Sequence, residues 1–162
     1  MDRLNEWREE GGYNMAIWQF DCMVFPEIKK DGNIESEDIL VWEKSMLSDD
    51  FYRDVETILP LEKSWSKKRE QYGKGDGTCI ELIDCEHDNE IEFKVRLDLR
   101  VLSKEDFEAI LSIISKVGGL MLYQGKIYPP NKEEILRLIM GSDMARFCEN
   151  PTKYLKKLGD RL

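Results

Sequence analysis

From Glu90 to Val101 charged and apolar residues alternate without a break. Glu90, Glu92, Lys94, Arg96, Asp98 and Arg100 are charged, and Ile91, Phe93, Val95, Leu97, Leu99 and Val101 are apolar. Successive side chains of a strand point to opposite faces, so this pattern predicts one apolar face on a core and one ionic face in water. The run Thr78–Glu86 is also strand-like, through Ile80, Leu82 and Ile83. His87-Asp88-Asn89 between them suits a tight turn, because Asp and Asn tolerate turn geometry.

A two-residue turn at Asp88-Asn89 sets His87 opposite Glu90. It then sets Leu82 opposite Val95, Ile80 opposite Leu97, and Glu81 opposite Arg96. Apolar residues share a face in that register, and opposite charges meet across it, each pair contributing roughly 0.2–1 kcal/mol. Asp84 falls opposite Phe93, which asks for a bulge near the tip.

A helix follows. Ser103 is its N-cap, Asp106 stands at the third position, and Leu102 with Phe107 forms a hydrophobic staple. Phe107, Ile110, Leu111, Ile114 and Val117 make one apolar stripe, and Gly118-Gly119 ends it. Stripe and apolar sheet face need each other, which docks this helix on the hairpin.

Upstream, Ala16–Phe25 reads as a strand with apolar residues on both faces, hence a central one, closed by Pro26. Lys30-Asp31-Gly32-Asn33 is a turn. The period of Ile39-Leu40-Val41-Trp42 fits a strand or a helix equally. Ser48-Asp49-Asp50 starts a helix whose face is Phe51, Val55, Ile58 and Leu59, and Pro60 stops it. Residues 63–77, rich in Lys, Ser and Gly, read as loop.

Downstream, Leu120–Tyr123 and Lys126–Tyr128 flank Gln124-Gly125 as a short hairpin that Pro129-Pro130 ends. Asn131 caps a helix carrying Ile135, Leu136 and Ile139. Ser142 starts another with Met144, Ala145 and Phe147, and Asn150-Pro151 a last one with Tyr154, Leu155 and Leu158. The expected fold is α+β: an antiparallel sheet of about four to six strands packed against helices, with a compact run of short helices at the C-terminus. Residues 1–14, with Leu4 and Trp7, form an N-terminal appendage, and 15–162 one domain.

The 162 residues are 41% hydrophobic and 35% charged, enough for a core beneath a strongly ionic surface. The net charge of −9 argues against nucleic acid and against anionic membranes as partners. No apolar run approaches the ~20 residues of a membrane span. The start Met-Asp-Arg-Leu-Asn-Glu lacks the apolar core of a secretory signal. Cys22, Cys79, Cys85 and Cys148 include no Cys-x-x-Cys pair. Cys79 and Cys85, roughly 20 Å apart along one strand, are too distant to bridge. Free thiols and a cytoplasmic location are the expectation.

Candidate chemistry is sparse. The single histidine, His87, is expected as a polar turn residue rather than a base, and Cys85 beside it lacks an evident pocket. No zinc or calcium pattern is present, so neither metal nor cofactor is expected. Gly73-Lys74-Gly75-Asp76-Gly77 lacks the Gly-Lys-Ser/Thr ending of a phosphate loop and reads as a flexible connector. Glu90, Glu92 and Asp98 are the carboxylates an enzyme could use, against the simpler reading of a solvated ionic face.

Charge is unevenly laid out. Residues 1–62 carry 16 acidic and 6 basic side chains, residues 63–76 carry 2 and 5, and residues 77–162 carry 15 and 13. Trp7, Trp18, Trp42 and Trp65 all lie in the N-terminal part. Acidic surface with aromatic anchors suits docking of a basic protein, since charge speeds encounter and aromatics supply hot spots. Glu35, Glu37, Asp38, Trp42, Asp49, Asp50 and Trp65 are the candidate contact residues. The competing account buries Trp18 and Trp42 in the core. The expected function is an acidic protein-binding module, an immunity-type inhibitor of a basic toxin or nuclease among them. The alternatives are a scaffold homo-oligomer that pairs through an open sheet edge and a carboxylate-based enzyme.

Overall fold

The computed structural model describes residues 16, 18–27, 41–64, 66–85, 89–142 and 144–145. Among the described residues eight strands form one antiparallel sheet: β1 (Gln19–Pro26), β2 (Trp42–Glu43), β3 (Leu61–Glu62), β4 (Arg69–Tyr72), β5 (Cys79–Asp84), β6 (Glu90–Asp98), β7 (Gly119–Tyr123) and β8 (Lys126–Tyr128). Their order is β3-β4-β5-β6-β1-β7-β8. β5 occupies one edge of β6 as far as Ile91, so β2, which pairs Trp42 with Ile91, continues the line of β1 along the other edge. Among the described residues three α-helices accompany the sheet: α1 (Asp49–Ile58), α2 (Lys104–Lys116) and α3 (Lys132–Met140). The fold is α+β, with more strands than the four to six expected.

The extra strands come from segments with little apolar signal. β3 and β2 are two residues long, and β4 lies inside the stretch 63–77 that reads as loop. In Arg69-Glu70-Gln71-Tyr72 only Tyr72 is apolar, and the strand's inward polar residue is satisfied by an ion pair rather than by burial of hydrocarbon.

The hairpin forms, but in another register. Leu82 pairs with Phe93, Ile80 with Val95, and Glu81 with Lys94. The Cys85 amide donates to Glu90 O at 2.9 Å, so the same register runs on past Asp84, and the expected pairing of Leu82 with Val95 is not the one formed. A slip of two in the pairing keeps every side chain on its face. The amphipathic pattern is therefore preserved while each partner changes. His87 lies outside the described residues.

Helix starts follow their caps. Ser48 Oγ accepts from Phe51 N at 3.4 Å, Ser103 Oγ from Asp106 N at 3.0 Å, and Asn131 Oδ1 from Glu133 N and Glu134 N. α2 ends before Gly118, whose φ of +74° is the left-handed conformation that glycine adopts without a Cβ clash. Ser142 Oγ accepts from Ala145 N at 3.4 Å, as a cap would. The rest of the expected helical run, from Phe147 through Leu158, lies outside the described residues, as do residues 1–14.

All three helices pack on one face of the sheet. Phe20, Val24, Ile80, Leu82, Phe93 and Val95 of that face join Phe51 and Val55 of α1, Phe107, Ile110 and Ile114 of α2, and Ile135 and Ile139 of α3 in a single buried cluster. Phe51 and Phe93 sit 5.5 Å apart between ring centroids, tilted as aromatic pairs prefer.

Part of the opposite face is also buried, which overturns the expected solvated ionic surface there, while Glu90, Glu92 and Lys94 stay half-buried and Arg100 is exposed. Gln19 and Glu81 are 0% exposed, Asp98 2% and Arg96 3%. Glu81 of β5 is ion-paired to Arg69 of β4 and, at 3.0 Å, to Arg96 of β6. Arg96 also faces Asp21 of β1, with Nε 4.0 Å from Oδ1. Alternating sign across four adjacent strands is what permits charge to be buried here.

Candidate partner-binding surface

The acidic surface is best defined around the start of α1. A 3-10 turn, Lys44–Met46, leads from β2 into the Ser48 cap. Asp49 and Asp50 occupy the first turn of α1, where the helix dipole favours negative charge, and both are exposed. Glu43 is exposed just before them. Asp50 accepts from Arg53 at 2.6 Å, and Asp54, one turn further on, from Lys116 of α2 at 3.1 Å.

Met46 is 45% exposed beside these carboxylates. It forms one wall of a groove of about 210 Å³ between α1 and α2, with Phe51, Ile113 and Val117 as the other apolar lining. Asp50, Asp54 and Lys116 stand at the same groove. The sequence pattern missed Met46, Asp54 and Lys116. Met46 precedes a helix cap with no periodicity to mark it, and Lys116 meets Asp54 only through tertiary packing.

The expected aromatic anchors divide. Trp42 is 1% exposed, stands 6.0 Å from Phe93 between ring centroids, and donates its indole N–H to Val24 O at 2.9 Å. Its ring and its polar atom are both used inside the core, so it offers no contact surface. Trp18 is half-buried: its indole donates to Asp76 O at 2.7 Å and the Arg100 guanidinium lies 3.8 Å over its ring. Glu35, Glu37, Asp38 and Trp65 lie outside the described residues. Of the candidate contact residues, Asp49 and Asp50 are brought together at the surface.

A basic strip adjoins. Lys44, Lys67 and Lys68 line a cleft of about 150 Å³ with Tyr52, Glu70 and Asp84. Arg69 of the same basic stretch is turned inward to Glu81 instead.

The glycine-rich connector is pinned rather than flexible. Gln19 Nε2 donates to Gly75 O and Gly77 O, at 2.9 and 2.7 Å. Asp98 N donates to Thr78 Oγ1, and the Asp98 carboxylate accepts from Arg100 through both oxygens. Gly73 holds φ at +84°, and a Cβ there would run into Thr78 O. The loop's carbonyls are occupied by the chain's own side chains, which is the opposite of a cradle of free amides for phosphate.

The carboxylates considered for catalysis do not converge. Asp98 is engaged by Arg100 and closes one end of β6, whereas Glu90 opens the other, about 26 Å away at ~3.3 Å per residue. Glu92 lies 3.9 Å from Lys94. Burial raises Asp21 above 3.8, more than nearby Arg96 lowers it. Its Oδ1 is buried, although the side chain as a whole is 38% exposed. Burial pushes the Cys79 thiol up to about 12, with the Glu81 charge adding to it, and raises Cys22 as well. Such thiols are poor nucleophiles. Among the described residues, no three His, Cys, Asp or Glu side chains gather as metal ligands, and no helix is long and apolar enough to cross a membrane.

Comparison with models of protein families, with curated proteins and with solved structures finds no match.

Proposed function

We propose that the chain is an acidic protein-binding module whose partner is a basic protein, with neutralisation of a basic toxin or nuclease, in the manner of an immunity protein, as the specific form. The observation that carries this reading is the exposed acidic rim Glu43, Asp49 and Asp50 beside the exposed Met46, on a chain of net charge −9. Charge of one sign speeds encounter with an oppositely charged partner, and an apolar residue inside it supplies contact area. A cytoplasmic location is part of the same proposal. The test is affinity capture at low and then moderate salt, followed by the salt dependence of the retained protein's affinity. The reading expects a basic protein held stoichiometrically, whose affinity falls steeply with salt and drops in a Glu43→Gln, Asp49→Asn, Asp50→Asn variant. A salt-independent affinity, unchanged in that variant, would overturn it.

A scaffold role through sheet-edge pairing is the second reading. It rests on β8, an edge strand whose Ile127 is 41% exposed. A mass that stays monomeric across a wide concentration range in light scattering would remove it.

A further inference from the structure

We infer that Asp76-Gly77 is a modification site, a peptide unit primed to isomerise to isoaspartate that the folded loop holds shut. Aspartate followed by glycine is the pairing most open to this chemistry, because glycine has no Cβ to hinder approach to its amide nitrogen. Asp76 is exposed, so water is at hand. The Gly77 nitrogen attacks Cγ of Asp76, a C–N bond forms, and the carboxyl hydroxyl leaves with the amide proton as one water. Water then opens the five-membered imide. Opening at the former main-chain carbonyl leaves the chain running through Cβ and Cγ, an isomer of unchanged mass. The chain's other Asp-Gly pair, Asp31-Gly32, lies outside the described residues.

The turn itself opposes ring closure. Gly77 N donates to Lys74 O at 2.9 Å, which closes a β-turn over residues 74–77. Neither Gly75 nor Asp76 has a positive φ, so the turn is type I, with Asp76 ψ at about 0°. At that angle the Gly77 nitrogen eclipses the Asp76 nitrogen. Cβ then stands roughly 120° out of the peptide plane, the offset of two substituents on a tetrahedral Cα. Ring closure needs Cβ in that plane, and it needs the Gly77 amide released from Lys74 O.

Three side chains keep the 76–77 peptide from swinging. Gln19, 0% exposed, donates to Gly75 O and Gly77 O at 2.9 and 2.7 Å. Between them, Trp18 Nε1 donates to Asp76 O at 2.7 Å, and Arg100 Nη2 reaches the same oxygen at 3.4 Å. Three consecutive carbonyls are thus anchored, and turning the peptide plane pulls Asp76 O off its donors. Isomerisation therefore proceeds from the opened loop, and its rate reads how often the loop opens. Isoaspartate also lengthens the main chain by one carbon, so the three carbonyls no longer meet their donors together.

The test is peptide mapping with electron-transfer fragmentation, which separates isoaspartate from aspartate at equal mass. The full chain is aged at neutral pH beside the free peptide acetyl-Gly-Lys-Gly-Asp-Gly-Thr-amide, the sequence of residues 73–78. Isoaspartate at residue 76 should form about tenfold or more slowly in the chain than in the peptide. Trp18→Phe removes the indole donor but keeps a ring under Arg100, and should raise the chain's rate about fivefold, the scale of one lost hydrogen bond. Gln19→Leu removes two such bonds and should raise it further. Faster exchange of the Gly77 amide should accompany both. Equal rates in chain and peptide would overturn the proposal. So would a folded Trp18→Phe chain that isomerises no faster than the parent. Should Gln19→Leu fail to fold, the parent, the peptide and Trp18→Phe decide between them.

Discussion

The two faces of the central sheet exclude water to different extents and by opposite means. One is closed by hydrocarbon: Phe93, Val95, Ile80 and Val24 meet three amphipathic helices. The other is buried only in part, around paired charge: Glu81 lies between Arg69 and Arg96, with the partly exposed Asp21 beside them. The apolar face needs only shape and volume, so many residues could serve there. The ionic face needs each partner, since removing one member strands the others in a medium that does not solvate them. For function, the difference means that many of the charges on β6 are consumed by the fold. Exposed acidic charge gathers instead on the helical side, around the start of α1.

The largest effect should come from the apolar face. Phe93 is fully buried and touches both Trp42 and Phe51, so Phe93→Ala should cost about 3–5 kcal/mol in urea denaturation. Glu81→Leu conserves volume but leaves Arg69 and Arg96 without their shared carboxylate, and should cost about 3 kcal/mol. An effect below about 0.5 kcal/mol, the range of ordinary surface substitutions, would mean that the ionic face is solvated after all.

A smaller loss is expected at the edge of the ionic face. Gln19→Leu removes the donor to Gly75 O and Gly77 O and should cost about 1–3 kcal/mol, with faster amide exchange in residues 74–77 as the local readout. Unchanged exchange there would show that Gln19 does not hold the loop.

The smallest effect is a pH dependence. The folded chain holds the Asp21 proton more tightly than the unfolded chain does, because burial raises Asp21 above 3.8. Its ionisation therefore costs stability, and stability from this group falls as pH rises from 3.8 through the raised value. Asp21→Asn should remove that decline, so the stability difference between the two proteins shifts in the variant's favour across the same window in denaturation midpoints. A constant difference between the two proteins would contradict the shift.

The apolar face was legible in the sequence because its signals are local. Unbroken alternation in β6, helical stripes in α1 to α3, and caps at Ser48, Ser103 and Asn131 each depend on neighbours in the chain. The hairpin register was not legible, because a two-residue slip leaves the face pattern unchanged. β4 and the burial of Glu81 were hidden for a different reason, the strand order. Arg69, Glu81 and Arg96 look like surface residues until the strand order brings β4, β5 and β6 side by side. The candidate site divided likewise: Asp49 and Asp50 were marked by their helix start, whereas Met46 and Lys116 become neighbours of these carboxylates only in the folded chain. Trp42 was ambiguous for a related reason, since an indole suits an interface and a core equally until its hydrogen-bond partner, Val24 O, is known.

That Arg69, Glu81 and Arg96 are core rather than surface is tested most directly by comparing Glu81→Leu with the triple variant Arg69→Met, Glu81→Leu, Arg96→Met in urea denaturation. If the charges are buried partners, the triple variant should recover most of the single variant's loss and lie within about 1 kcal/mol of the parent, because an apolar set of similar volume can replace a buried ionic one. A triple variant no more stable than Glu81→Leu alone would contradict that claim.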